Sequence, residues 1–118
     1  MATPESYDLP PDPALDARLT ELRNRFKAVL PQRMGTIQQR VVALQPGSWD
    51  SAVREELKNE VHSLAGSAGL FGFDQIGAAA GELERLIMRV SKQPAASPAD
   101  MIEIQDAATR LEAAVHAA

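Results

Sequence analysis

The chain contains no cysteine, which excludes a disulfide framework and thiolate chemistry. Its two histidines then leave too few soft ligands for a structural zinc site. Aromatic residues make up only 4% of the chain, so aliphatic side chains and alanine must fill any core. No segment approaches the roughly 20 apolar residues needed to cross a bilayer. The stretch from Met1 to Pro13 has no apolar signal core. Excess positive charge is also missing. Twelve Lys and Arg stand against sixteen Asp and Glu, for a formal net charge of -4, and the two signs are interspersed. That argues against binding to a nucleic-acid backbone, which calls for a basic face. Gly66-Ser67-Ala68-Gly69 lacks the lysine and the spacing of a nucleotide phosphate loop, so no ATP binding and no autonomous kinase activity are expected. The plain expectation is a cytoplasmic protein that needs neither cofactor nor metal.

What is present is helix. The chain has 118 residues, 45% of them hydrophobic, enough for one domain with a real core. Residues 1–11 hold three prolines and few apolar groups and read as a flexible tail. The domain then spans 12–118. Asp12-Pro13 forms a helix start, with a capping acid and a proline at the first helical position. Leu15, Leu19, Leu22, Phe26 and Val29 follow at helical spacing, and after Pro31 the pattern resumes at Met34, Ile37, Val41 and Leu44. A kinked first helix, or two abutting ones, satisfies this pattern. Gln45-Pro46-Gly47-Ser48 reads as a turn, with Ser48 or Asp50 as the next cap and Trp49 as an end plug of the core.

The second helix carries Val53, Leu57, Val61, Leu64 and Ala68, and Gly69 or Gly72 can end it. Asp74 is the expected cap of a third helix, with Phe73 as a staple outside it. That helix would bury Ile76, Ala80, Leu83, Ile87 and Val90. After a loop at Lys92 to Ala96, Ser97-Pro98-Ala99-Asp100 gives a fourth start signal. Met101, Ile104, Ala108, Leu111 and Val115 form the last stripe. No strand-period alternation occurs. The predicted fold is all-α, an antiparallel up-down four-helix bundle. A bundle of that kind has a complete core, so a monomer is expected.

The informative segment runs from His62 to Phe73. His62 lies about 100° around the helix from Val61, at the edge of the buried stripe. One turn away are Lys58, Asn59, Ala65 and Gly66, with Gly69 beyond. A glycine inside a helix costs about 1 kcal/mol relative to alanine, so Gly66 calls for a reason. Close approach of another backbone or of a partner supplies one; tight packing between helices is the plainer alternative for Gly66 and Gly69. Gly77, Gly81 and Glu84 share a face on the third helix. If that face flanks His62, a bare platform surrounds one nucleophile. Imidazole titrates near 6.5, so much of it is neutral at cellular pH, with one ring nitrogen free to attack phosphorus. A group holding the other nitrogen would fix the tautomer, and Glu84 is the candidate. Arg85 and Arg89 are ordinary surface charges or a basic rim for an acidic partner. His116, near the C-terminus, has no task beyond a small favourable interaction with the helix dipole.

His62-Ser63-Leu64-Ala65-Gly66-Ser67-Ala68, followed by Gly72, resembles the H-x-L-K-G-S-A motif of histidine-containing phosphotransfer (HPt) domains. Leu83-Glu84 resembles that family's later L-E pair. The resemblance covers roughly Val41 to Val90. It implies that His62 is phosphorylated on its outer ring nitrogen, and that Gly66 lets a response-regulator receiver domain come close. Ser67 would belong to the motif's supporting set, and Glu84 would bond the inner nitrogen. One position departs. The family has lysine, which helps balance the phosphoryl charge, where this chain has Ala65. Lys58 or a cation from the partner would have to replace it. The expected function is a phosphorelay carrier between a sensor histidine kinase, or its receiver, and a response regulator. A close variant is the phosphoacceptor segment of a chemotaxis-type kinase. The alternative is a helical adaptor that binds a receiver without phosphate chemistry.

Overall fold

The computed structural model describes residues 12–44 and 51–118, the side chain of Ser51 excepted. Four helices account for almost all of them: α1 (Pro13–Ala43), α2 (Ser51–Leu70), α3 (Asp74–Ser91) and α4 (Pro98–Ala117). No strand occurs among the described residues. Each helix packs on its neighbour in sequence, and α4 closes the ring on α1. The architecture is the predicted four-helix bundle. The expected tail at 1–11, the turn at 45–48, the caps Ser48 and Asp50, and Trp49 lie outside the described residues.

The core is a single, mostly aliphatic cluster. Leu57, Val61, Leu64 and Ala68 of α2 meet Ile76, Ala80, Leu83, Ile87 and Val90 of α3, with Met101, Ile104, Ala108, Leu111 and Val115 of α4. These are the stripes expected from spacing. Leu86 and Ala107 join them, and Val53 is only partly buried.

The first helix runs unbroken through Pro31, so of the two expected forms the pair of abutting helices does not occur. Proline lacks an N–H and leaves the carbonyl four residues earlier unbonded. Pro31 is exposed, so water can serve the Lys27 carbonyl and no break is needed. The buried face differs from expectation. Leu15 and Leu19 are about half exposed, Leu22 is partly buried, and Val29 is exposed beside a buried Leu30. The helical spacing there is real, but all of Pro13 to Thr20 lies in solvent. With 31 residues against 18 to 20 in the others, α1 outruns its partners.

Helix ends follow local chemistry. Asp12 accepts from the Ala14 N–H at 2.9 Å, as its capping role requires. In α4, Ser97 and Asp100 complete a reciprocal capping box. The Ser97 backbone N–H, and then its hydroxyl, hold the Asp100 carboxyl below its ordinary pKa. A depressed acid stabilises the fold above its unfolded pKa, and that contribution fades as pH falls through the folded value.

The end of α2 is a Schellman motif. Phe73 N–H donates to Ala68 O at 2.8 Å and Gly72 N–H to Gly69 O at 3.3 Å, with Gly72 at φ +80°. Gly72 rather than Gly69 therefore carries the reversal. This turn also corrects the expected start of α3. Phe73 occupies the cap position with no side-chain cap bond, and Asp74 is already the first helical residue. The Phe73 ring is drawn into the core against Phe26, 5.5 Å between centroids, with the Arg23 guanidinium 4.5 Å above it. Gly72→Ala should destabilise the protein by about 1 kcal/mol, since a side chain resists positive φ. Gly66→Ala should stabilise it by up to about 1 kcal/mol, because a Cβ there meets nothing within 4 Å. Chemical denaturation of the two variants checks the opposite signs.

Candidate functional site

His62 lies past the middle of α2, with 73% of its side chain in solvent. Its flanking residues Val61 and Leu64 are fully buried. The helix is thus pinned by its core face while the imidazole stands at the rim. From the ring, Nδ1–H donates to Glu84 Oε2 at 2.7 Å. That assignment follows from the partner, since a carboxylate can only accept. In the neutral ring this bond puts the proton on the inner nitrogen and leaves the lone pair on Nε2, away from Glu84.

The reach of Glu84 depends on how closely the helices approach. A Cβ built on Gly77 would sit 3.7 Å from Ala65 O and Gly69 N and 3.9 Å from the Ala68 side chain. Gly77 is thus the close crossing of α3 over α2. Seven residues back along α2 from Gly69 lies His62, and seven forward along α3 from Gly77 lies Glu84. Antiparallel helices bring those two together. Gly66 and Gly69 do not serve the packing: both are exposed, and a Cβ on either meets nothing within 4 Å. Gly81 is equally unobstructed.

The remaining candidates divide by position. Ala65 is half-buried and packs against the core. Ser67 is half-buried, and its carbonyl accepts from the Phe71 N–H at 3.1 Å. Lys58 pairs with Glu55 at 2.7 Å and lines a recess together with Asn59, His62, Glu84 and Met88. Arg85 is bound to Glu82 by two hydrogen bonds, and Arg89 to Glu103 at 2.7 Å. Both arginines therefore serve ion pairs in this structure. The Arg85 contact, chiefly its hydrogen bond, holds the Glu82 carboxyl below its ordinary pKa.

Two neighbours of the site escaped the sequence reading. Arg33 of α1 donates to Ser63 Oγ at 3.2 Å and lies 3.7 Å from Glu60, bracing the flank of α2 opposite Glu84. Nothing in the sequence announces it, because the contact depends on how α1 docks. Met88 could have been found: it stands one turn beyond Glu84 on the same face of α3.

Among the described residues no group of acids and histidines could hold a metal ion, and no helix is long and apolar enough to cross a membrane. Comparison with curated proteins and with solved structures gave no match. The family model of the Hpt domain matches residues 21–114, well over half of the chain. Hpt domains serve phosphotransfer in two-component signalling, and with its four-helix core this chain belongs to that family.

Proposed function

We propose that His62 carries the phosphoryl group, taking it from a sensor kinase or its receiver domain and passing it to a receiver aspartate in a cytoplasmic phosphorelay. The observation that carries this reading is an exposed imidazole whose inner nitrogen is occupied by a carboxylate. The Nε2 lone pair attacks the phosphorus of an aspartyl phosphate. The N–P bond forms, the P–O bond breaks, and the aspartate leaves as a carboxylate. The ring keeps its Nδ1 proton and becomes a phosphoimidazolium, whose positive charge faces Glu84. A hydrogen bond to an ionised partner is stronger than a neutral one, so Glu84 favours the charged product as well as the tautomer.

The chain then acts as a carrier rather than a kinase. The receiver would supply its own metal ion and acceptor carboxylate. The open surface at Gly66 and Gly69 gives a receiver room to approach Nε2, with Ser67 and Ala65 beneath it. The bundle from residue 12 onward would form the working domain, acting as a monomer.

The test is to incubate the protein with a phosphorylated receiver domain and look for acid-labile, base-stable label on the bundle. Label is expected. If no receiver transfers label while one still binds, an adaptor without phosphate chemistry is the better description. Glu84→Gln should slow phosphoryl uptake by about tenfold, by analogy with the carboxylates that orient metal-bound histidines, whose loss typically costs about 10- to 100-fold. Rapid-quench measurement of label uptake by this variant checks it. A rate equal to that of the wild type would remove Glu84 from the mechanism.

A further inference from the structure

Side chains on a helix lean toward its N-terminus. The ring of His62 therefore lies over the turn carrying Lys58 and Asn59, rather than over Gly66. These residues, with Glu84 and Met88, line a shallow recess of about 260 Å³ beside the imidazole. Glu84 is committed to Nδ1, and Met88 offers an apolar wall. Lys58 is the one cation among the lining residues. In this structure its ammonium rests on Glu55, one turn further from His62.

We propose that Lys58 is the charge partner of the phosphoryl group on His62, and that its pair with Glu55 is the resting alternative. This rests on the reading of His62 as the phosphoryl carrier. When Nε2 carries the phosphoryl group, the Lys58 ammonium leaves Glu55 and pairs with the phosphoryl oxygens. No covalent bond changes; the ammonium keeps its protons and exchanges one anion for another. The exchange is easy, because a single exposed ion pair holds weakly. A phosphoryl group carries more charge than a carboxylate and three acceptor oxygens. Lysine suits the task, being a compact charge on a flexible stem. None of the nearby arginines, Arg33, Arg85 or Arg89, lines the recess beside the imidazole.

The experiment phosphorylates the full chain with phosphoramidate and follows the ³¹P signal of the phosphohistidine against pH. A cation near the group favours its more negative form, so the signal should titrate at lower pH in the wild type. Lys58→Met should raise that midpoint by about half a unit, the scale of an exposed ion pair, and Lys58→Arg should largely preserve it. Glu55→Gln should shift it the opposite way, because it frees the ammonium. Glu56→Gln removes an equal charge that pairs with Arg40, and should leave the midpoint in place. An unchanged midpoint in Lys58→Met overturns the proposal while leaving His62 as the carrier. Equal shifts in the Glu55 and Glu56 variants also overturn it, since a diffuse field would then suffice. Label absent from the wild type, or persisting in His62→Gln, overturns the carrier reading and this proposal with it.

Discussion

His62→Gln is expected to take up no phosphoryl group from any donor, while folding as the wild type does. The glutamine amide has no lone pair of imidazole nucleophilicity, and no second histidine stands near: His116 lies in the last turn of α4. The fold should not register the change. The His62 side chain is 73% exposed, and its one hydrogen bond is to Glu84, itself on the rim. Substitutions at such positions usually alter stability by no more than about 0.5 kcal/mol. Label uptake and a thermal melt, measured on the same preparation, separate the two effects. Full loss of label with an unchanged melt is the expected pair of results. Retained label would move the phosphoacceptor elsewhere, whereas a lowered melt would mean that His62 supports the fold.

The second large effect is on stability. Leu64→Ala should destabilise the protein by about 3 kcal/mol, within the usual range of about 2–5 for a buried leucine. Leu64 is fully buried in the core face of α2, two residues beyond His62. Truncating it leaves a cavity lined by side chains that cannot all collapse, because the facing helices are themselves pinned. A fall of that size lowers the ratio of folded to unfolded protein by more than a hundredfold. Leu19→Ala, at a position about half exposed on the projecting part of α1, should cost no more than about 0.5 kcal/mol. Urea denaturation should show a much lower midpoint for the first variant, with an unchanged slope, and almost none for the second. Equal losses would mean that the outer part of α1 is covered in solution.

That contrast shows where reading by pattern succeeds. Spacing located all four helices and most of the core, because a helix that must bury one side writes its period into the sequence. In α3 and α4 every residue expected inside is buried. Spacing failed at the start of α1. Leu15 and Leu19 keep the period, but burial needs a second surface; Leu19 meets only the end of α2, in a recess shared with Leu70 and Phe71, and both leucines stay about half exposed. Asp74 failed as a cap for a similar reason. A capping residue type marks a helix start locally, yet the ring of Phe73 had a place in the core beside Phe26, and that set where α3 begins.

The site divides along the same line. The sequence by itself determined a helical bundle, a histidine at the edge of a buried stripe, and a surface without bulky side chains after it. Those features follow from residue type and helical period, which are local. Only the tertiary structure decided that Glu84 holds Nδ1 at 2.7 Å, that Gly77 rather than Gly66 is the close crossing, and that Lys58 shares a recess with the imidazole. Each depends on the distance and register between two helices. Those are fixed by how the buried faces interlock over the whole core, which no short stretch of sequence contains.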